Sequence, residues 1–192
     1  MINVIETAIP GPLIIEPKVF GDARGYFMES WNQRDFDAAV RPIRFVQDNE
    51  SKSRYGVLRG LHYQTGRHSQ SKLVRVISGR VLDVAVDIRR GSPWFGQQVA
   101  CELTGENHRQ FFIPRGFAHG FVVLSEEAVF QYKCDYPYTP EAEGAIAWND
   151  PSLAIEWGLP EESILLSEKD KHHPFLADAQ DLFDYNIDYY AE

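Results

Sequence analysis

Residues 72–96 read KLVRVISGRVLDVAVDIRRGSPWFG, and this stretch constrains the fold more than any other part of the chain. Apolar side chains recur at every second position, which is the period of a β-strand with one face on a core. Two such runs are separated by Ser78-Gly79, a pair typical of a tight turn. In the second run one face carries Leu82, Val84, Val86 and Ile88, and the other carries Asp83, Ala85 and Asp87.

The rest of the chain continues this pattern of short β-like runs between turn signals, as in a sandwich or a barrel. Further strands are predicted near residues 12–19, 26–31, 43–48, 98–103, 110–113, 119–124, 128–135 and 145–148. A helix is predicted over Arg34–Val40 with Asn32 as its N-cap, and helical turns after Pro160 and within Asp178–Tyr185. We therefore predict one mainly-β domain over residues 1–192, a jelly-roll β-barrel with short peripheral helices.

The composition argues against several classes of protein. A chain of 192 residues with 44% hydrophobic side chains is long enough to bury one core. A net charge of −9 argues against nucleic-acid and membrane-surface binding, and no apolar run approaches the roughly 20 residues of a membrane span. The N-terminus lacks a basic region and its apolar run is broken at residues 10–12, so no signal peptide is predicted. Cys101 and Cys134 show no CxxC spacing, which favours a reducing cytoplasm.

Two glycine-rich stretches each carry one histidine: His62 in GVLRGLHYQ (56–64) and His119 in IPRGFAHGF (113–121). Barrels of the cupin type hold a metal through a G-x5-H-x-H…E-x6-G motif and a P-x-G-x-x-H motif. The second motif is present at residues 114–119. In the first, Gln64 stands at the second histidine position and Lys72 at the glutamate position. Because an ammonium group offers no electron pair and repels a cation, we predict no metal.

Three interpretations of the histidines remain. His62 and His119 are metal ligands, with His68 in place of a missing ligand, or core histidines with satisfied hydrogen bonds, or parts of a metal-free active site. His68 lies in the polar segment TGRHSQS, which argues against the first. The glycines beside His62 and His119 permit close approach of a ligand, and both stretches fall where a barrel has its pocket. A histidine, a lysine and a tyrosine on neighbouring strands can transfer protons without a metal, so the third interpretation is favoured.

Eight segments in order resemble the dTDP-4-dehydrorhamnose 3,5-epimerase family. They are VFGDARGYFMESWN, FVQDNESKS, RGLHYQ, the 72–96 stretch, IPRGFAHGF, QYKCDYPY, AWNDP and LSEKD. The resemblance runs from about residue 14 to residue 170. It implies a cupin-like jelly-roll barrel, a homodimer, no cofactor and no metal. It also implies the substrate dTDP-4-dehydro-6-deoxy-D-glucose and a place in dTDP-L-rhamnose synthesis.

Epimerisation beside a ketone needs a base on one face, an acid on the other and a donor for the enolate oxygen. On the resemblance, His62 is the base, Tyr132 the opposing acid, Asp170 the partner of His62, and Lys72 the enolate donor. His119, held by Asp83, lines the sugar pocket. Without the resemblance, Tyr132 reads as an ordinary barrel tyrosine, Asp170 as a helix cap and Lys72 as a surface lysine.

The nucleotide requires cations for its diphosphate and flat rings for its base. Guanidinium groups fit phosphate oxygens, which favours Arg24 and Arg59, and Phe20 and Tyr138 are candidates to sandwich the thymine. Family binding positions match Glu29, Gln47, Asn49, Glu143 and Lys169. Strict alternation puts Arg59 and His62 on opposite strand faces unless Gly60 marks a bulge, and the sequence leaves both arrangements open.

The other functional classes are a non-catalytic sugar-binding cupin, a metal-dependent cupin, and a relative that epimerises only C3 or only C5. The first would not need His62, Tyr132 and Asp170 together. The homodimer expectation rests on the resemblance and on the extended segment Pro12–Val19, which is predicted to offer an unpaired strand edge for a two-fold contact.

Overall fold

The computed structural model describes residues 2–191 as a β-barrel with fifteen strands and one α-helix. The helix, α1, spans Gln33–Ala39. The strands are β1 Ile2–Glu6, β2 Leu13–Pro17, β3 Val19–Asp22, β4 Gly25–Met28, β5 Gln47–Arg54, β6 Leu58–Gln64, β7 Lys72–Ser78, β8 Arg80–Asp87, β9 Arg89–Arg90, β10 Gln98–Thr104, β11 Gln110–Ile113, β12 Phe117–Val123, β13 Glu127–Cys134, β14 Glu143–Ala145 and β15 Phe183–Asp184. Short 3₁₀ turns cover Gly66–His68, Pro140–Ala142, Glu161–Ser163 and Asp170–His172.

Two antiparallel sheets form the walls of the barrel. The six-stranded sheet has the order β1-β2-β11-β7-β13-β5, and the five-stranded sheet has the order β10-β8-β12-β6-β14. Two small pairs stand apart from them, the β3–β4 hairpin and the parallel pair β15–β9. The architecture confirms the predicted mainly-β jelly-roll barrel with little helix.

The turn at Ser78-Gly79 carries the chain from one sheet to the other. β7 lies in the six-stranded sheet and β8 in the five-stranded sheet, although only Gly79 separates them. Gly79 has φ +84°, and a Cβ there would lie 2.1 Å from the carbonyl oxygen of Glu127, so only glycine fits. As a result, Lys72 on β7 and Asp83 on β8 lie on opposite walls of the barrel.

The barrel interior and the two outer faces each bury an apolar cluster. Inside, Phe121 and Phe130 stack across the two sheets with ring centroids 4.0 Å apart. Phe36 of α1 covers the outer face of the six-stranded sheet. The segment after β14 covers the other outer face, with the buried side chains Leu153, Trp157, Leu176 and Phe183. Both walls are therefore packed on two sides, which holds the strands that carry the polar residues described below.

The predicted helix is confirmed with a shift of one residue, and Asn32 accepts a hydrogen bond from the backbone N–H of Asp35 as its N-cap. The helical turn after Pro160 is also confirmed, at Glu161–Ser163. The helical turn predicted within Asp178–Tyr185 is wrong, because Phe183 is buried on the barrel and pairs, as part of β15, with Arg89 of β9. The strand predicted over 43–48 lies instead at Gln47–Arg54, where the chain finds a partner in β13.

The prediction that Pro12–Val19 offers an unpaired strand edge is wrong. β2 lies inside the six-stranded sheet, between β1 and β11, because the N-terminal residues Ile2–Glu6 pair along its outer side. The edge strands of this sheet are β1 and β5. Among residues 2–191, no helix has the length and apolar character needed to cross a membrane.

Candidate active site

Two adjoining cavities of about 310 and 360 Å³ open between the sheets, and we call them together the cleft. Four side chains line both cavities, namely Asn49, His62, Lys72 and Tyr132. His62 comes from the five-stranded sheet and the other three come from the six-stranded sheet. A ligand in the cleft would therefore have His62 on one side and Lys72 and Tyr132 on the other.

Strand β6 reaches the cleft with both Arg59 and His62 because it contains a bulge. On β12, Phe121 pairs with Arg59 and His119 with His62, so two residues of β6, 60 and 61, lie opposite the single residue 120 of β12. Gly60 lies within the bulge with φ +137°, and a Cβ there would lie 2.5 Å from the Cα of Gly120. Because alternation is interrupted at this point, the side chains of Arg59 and His62 face the same cavity.

His62 and Asp170 form a close pair at the floor of the cleft, with 2.6 Å between His62 Nε2 and Asp170 Oδ1. The Ser167 hydroxyl donates to Asp170 Oδ2 at 2.8 Å. Burial by itself opposes ionisation of Asp170, but hydrogen bonds from His62, Ser167 and His173 outweigh it and lower the pKa of Asp170 to about 2. An ionised carboxylate only accepts, so His62 Nε2 carries the proton and its Nδ1 holds the free lone pair.

Across the cleft, Tyr132 and Lys72 lie on the neighbouring strands β13 and β7, with the Lys72 ammonium 5.9 Å from the Tyr132 ring centroid. Burial raises the pKa of Tyr132, so the phenol keeps its proton at neutral pH. Burial also lowers the pKa of Lys72, which makes its ammonium a stronger hydrogen-bond donor. Both groups are thus poised to give a proton or a hydrogen bond.

His119 lies beside His62 on the adjacent strand and is held by Asp83. Its Nε2 lies 2.9 and 3.0 Å from the two carboxylate oxygens of Asp83, and both side chains are buried. Burial lowers the pKa of His119. His119 therefore forms a rigid polar wall next to the His62–Asp170 pair.

The rim of the cleft is a connected set of polar side chains. The Tyr138 hydroxyl and the Lys169 ammonium both donate to Glu143 Oε2. The Tyr138 backbone N–H donates to Gln47 Oε1 at 2.9 Å, and the Gln47 amide donates to Asn49. Except for Lys169, these residues line the first cavity, and Lys169 lines the second. The structure thus brings five predicted binding residues together at the rim of the cleft.

Three predicted binding residues are not brought to the cleft of their own chain. Phe20 and Arg24 lie on the β3–β4 hairpin, which is exposed except at Met28, and the Arg24 side chain is 90% exposed and paired with Asp22. Glu29 follows the hairpin and accepts a hydrogen bond from Asn32. Within residues 2–191, none of these three residues lines either cavity. Phe20 and Tyr138 thus do not line one cavity within a single chain, and their sandwich of the base remains a prediction.

Two polar residues at the site are not among the predicted site residues. His173 Nε2 lies 3.2 Å from the same Asp170 oxygen that pairs with His62, and the surrounding sequence KDKHHP matches no motif. From its sequence position, Gln64 is only the residue that replaces a cupin metal ligand. It is buried, donates to the carbonyls of His68 and Pro137, and accepts from the backbone N–H of Thr139, so it fixes the segment that presents Tyr138.

Possible metal donors do meet near the cleft, but from a different set of positions than a cupin motif supplies. Among the described residues, one ligand atom each of His62, Asp170 and His173 lie within 4.8 Å of one another. The cupin positions Gln64 and Lys72 are occupied by an amide tied to backbone and by an ammonium. The predicted independence from metal remains a prediction, tested below by chelation.

The chain is similar to known proteins along most of its length. Residues 6–178 match the family description "dTDP-4-dehydrorhamnose 3,5-epimerase". The protein of that name from Salmonella typhimurium is 56% identical over 183 residues, which covers 93% of this chain and 98% of the relative. That from Pseudomonas aeruginosa is 58% identical over 173 residues, 90% of this chain and 94% of the relative.

A solved structure shares the fold as well as the sequence. The 3,5-epimerase of Legionella pneumophila, in complex with dTDP-4-keto-L-rhamnose, is 52% identical with a TM-score of 0.93, covering 97% of this chain and 100% of that chain. On the evidence of the family match, the close relatives and the shared fold, the chain belongs to the dTDP-4-dehydrorhamnose 3,5-epimerase family.

Proposed function

We propose that this chain is an isomerase that converts dTDP-4-dehydro-6-deoxy-D-glucose to dTDP-4-dehydro-L-rhamnose by inverting C3 and C5. The observation that carries the proposal is the placement of the His62–Asp170 pair and Tyr132 on opposite walls of one cleft. This reaction belongs to dTDP-L-rhamnose synthesis. The buried, free thiols of Cys101 and Cys134 suit the reducing cytoplasm in which we place it.

The 4-keto group makes the hydrogens on C3 and C5 acidic, and the residues of the cleft match the steps that follow. His62 Nδ1 takes the proton from carbon, and the electron pair of the C–H bond moves to the ketone oxygen to give an enolate. Asp170 stabilises the resulting imidazolium, and the Lys72 ammonium stabilises the enolate. The Tyr132 hydroxyl then gives its proton to the opposite face of the same carbon. Solvent restores the proton of Tyr132 and removes that of His62.

The nucleotide would extend from the sugar site toward the rim. Arg59 faces the second cavity and supplies a guanidinium for the diphosphate. Tyr138, exposed at the rim and held by Glu143 and Gln47, offers a ring for the thymine. His119 closes the sugar end beside His62.

The homodimer supplies a reason for the position of Phe20 and Arg24. Residues Lys18–Phe27 are all exposed, and Phe20, Tyr26 and Phe27 expose 54%, 58% and 69% of their area. Exposed aromatic rings on a two-stranded hairpin are typical of a contact surface. We propose that the hairpin of each chain reaches the cleft of the other, where Arg24 meets the diphosphate.

A mixing experiment tests this exchange of hairpins. We expect Arg24→Ala to raise KM about tenfold or more, since a charged hydrogen bond is lost, and His62→Ala to be inactive. In a mixed dimer, one site combines an intact cleft from the first variant with an intact hairpin from the second. Mixing equal amounts of the two variants after dissociation and reassociation should therefore restore wild-type KM at one site of each mixed dimer, which is about a quarter of all sites if the chains pair at random.

The control is a mixture of His62→Ala with Lys72→Ala, whose defects lie in the same cleft and whose mixed dimers contain no intact site. Light scattering should give twice the mass of the chain. A monomer at micromolar concentration, or a mixture of Arg24→Ala and His62→Ala that behaves as the average of its parts, would contradict the proposal.

Chelation tests the function and the absence of a metal requirement together. We expect protein dialysed against EDTA to turn over dTDP-4-dehydro-6-deoxy-D-glucose at the rate of untreated protein. The reason is that Lys72, at the position of a cupin ligand, already supplies the positive charge that the enolate needs. Product is identified by NMR from the inverted ring protons. Loss of turnover on metal removal, restored by zinc, iron or manganese, would refute the metal-free mechanism.

Tyr132→Phe separates the acid from the base. Without the phenol, His62 still removes a proton and returns one to the same face, so deuterium from D2O should enter the substrate. Inverted product should fall by about 10²-fold, within the range for loss of a general acid. Tyr185→Phe, on an exposed ring away from the cleft, is the matched control. Normal epimerisation by Tyr132→Phe would remove Tyr132 from the acid role.

A non-catalytic sugar-binding barrel is the second candidate. It would use Arg59 and the rim but would have no need of a histidine–aspartate pair facing a half-buried tyrosine. The same D2O incubation separates the candidates, since a binding protein would leave both C–H bonds intact.

A further inference from the structure

His173 contacts the His62–Asp170 pair but has no part in the proton transfers proposed above. Its Nε2 lies 3.2 Å from Asp170 Oδ1, the oxygen that also accepts from His62 at 2.6 Å. The two imidazole rings meet edge to face with centroids 5.7 Å apart. The side chain of His173 is 10% exposed, whereas the adjacent His172 is an exposed residue.

The backbone holds His173 in place on both sides. Residues Asp170–His172 form a 3₁₀ turn that begins at Asp170 itself. Directly after His173, the Pro174 carbonyl accepts a hydrogen bond from the Ala147 N–H at 2.8 Å, next to β14. Two residues later the Leu176 N–H donates to the buried Asp150. A side chain anchored in this way keeps a fixed direction toward Asp170.

The protonation of the cluster follows from the carboxylate. Ionised Asp170 can only accept hydrogen bonds, so both imidazoles donate an N–H to Oδ1, and the Ser167 hydroxyl donates to Oδ2. With two donors on one oxygen, each takes a share of its negative charge, and the plane of the carboxylate is fixed from three directions.

We propose that His173 is a positioning residue for the reaction: its Nε2–H fixes Asp170 in the orientation that His62 requires and limits how strongly Asp170 attracts the proton that His62 takes from carbon. This inference rests on the proposed function of the cleft. It assigns His173 no contact with the substrate.

The surroundings keep His173 neutral, which the proposal needs, because a second positive charge would oppose formation of the His62 imidazolium. Burial lowers the pKa of His173, and His62 and Lys169 lower it further, while Asp170 acts against them. The charged and titratable groups that share a cavity wall with His173 are Tyr63, Glu141, Glu143, Lys169, Asp178 and Asp181. Of these, Glu143 is paired with Lys169.

The test compares two variants that differ in one donor. His173→Leu removes the N–H, and His173→Gln places an amide N–H near the position of Nε2. We expect His173→Leu to lower kcat about tenfold with KM within twofold of wild type, because Asp170 loses its fixed orientation. The acid limb of its kcat/KM profile should move to higher pH by about half a unit, because the whole charge of Oδ1 then acts on His62.

His173→Gln should restore both kcat and the acid limb to near wild type, a rescue that a merely structural role would not give. His172→Ala, at the exposed neighbour, should match wild type throughout. Wild-type kcat and an unmoved acid limb in a folded His173→Leu protein would overturn the proposal. So would a His173→Gln variant as impaired as His173→Leu. The proposed function itself fails only if wild-type protein does not turn over the nucleotide sugar.

A measurement on the unaltered protein covers the case in which His173→Leu does not fold. The Nε2–H of His173 should give a proton resonance protected from solvent exchange, close in space to the corresponding proton of His62. The resonance is assigned by its loss in His173→Gln. A rapidly exchanging His173 N–H in wild-type protein would overturn the proposal.

Discussion

His62→Ala should abolish both epimerisation and the exchange of substrate protons with solvent, with kcat reduced by about 10⁴-fold, the upper end for a general base. The other histidine that lines the cleft, His119, is buried against Asp83, whereas the His62 side chain keeps 29% of its surface exposed. Without His62 the C–H bond stays intact at both carbons. The measurement is deuterium incorporation by NMR beside the rate of product formation.

His62→Asn is the companion variant, because it retains a polar side chain of similar size and guards against collapse of the bulge. It should be as inactive as His62→Ala. Substrate binding by either variant should persist, since the diphosphate contacts lie elsewhere. Deuterium exchange that continues in His62→Ala would mean that another group removes the proton.

Lys72→Met should lower kcat by about 10²–10³-fold, the cost of losing one donor to a developing oxyanion. Methionine keeps most of the apolar stem, so the packing against Tyr132 and Cys134 remains. KM should change little, because the ammonium acts on the enolate more than on the ground-state ketone. If KM rises while kcat stays near wild type, Lys72 binds the diphosphate instead.

The pH profile gives the same assignment a second test. Burial lowers the pKa of Lys72, and the reaction needs the protonated form, so activity should fall on the alkaline side at a pH below the usual value for a lysine. Lys169→Ala is the matched control. Lys169 pairs with Glu143 at the rim, so its loss should raise KM and leave the alkaline limb in place.

The strand pattern predicted the fold class well but not the pairing. Alternation in residues 72–96 identified two strands, and the period of two depends only on one buried face. It carries no information on which strand lies next to which. The crossing between sheets at Gly79 depends on the carbonyl of Glu127, which is far along the chain. The predicted free edge of Pro12–Val19 is instead paired with the N-terminal strand β1.

The residues of the site were predicted mainly through the resemblance to a family. The predicted polar residues of β6, β7, β12 and β13 lie in one cleft because β6 and β12 are neighbours in one sheet and β7 and β13 are neighbours in the other. Phe20, Arg24 and Glu29 do not, since their segment is exposed and lies outside the walls of the two cavities. The sequence left the bulge at Gly60 open as one of two arrangements. The bulge depends on the close approach of Gly120 on another strand, which the local sequence does not show. His173 was missed because its role depends on a distance to Asp170 rather than on a motif.

The most direct test of the central claim is incubation of the wild-type protein with dTDP-4-dehydro-6-deoxy-D-glucose in D2O, followed by NMR at each ring carbon. The account predicts deuterium at both C3 and C5, with inverted configuration at both. Each carbon lies next to the ketone, and one base and one acid on opposite walls of the cleft serve both. Deuterium at only one of the two carbons would show a single-site epimerase. Retention of both protons would contradict the account.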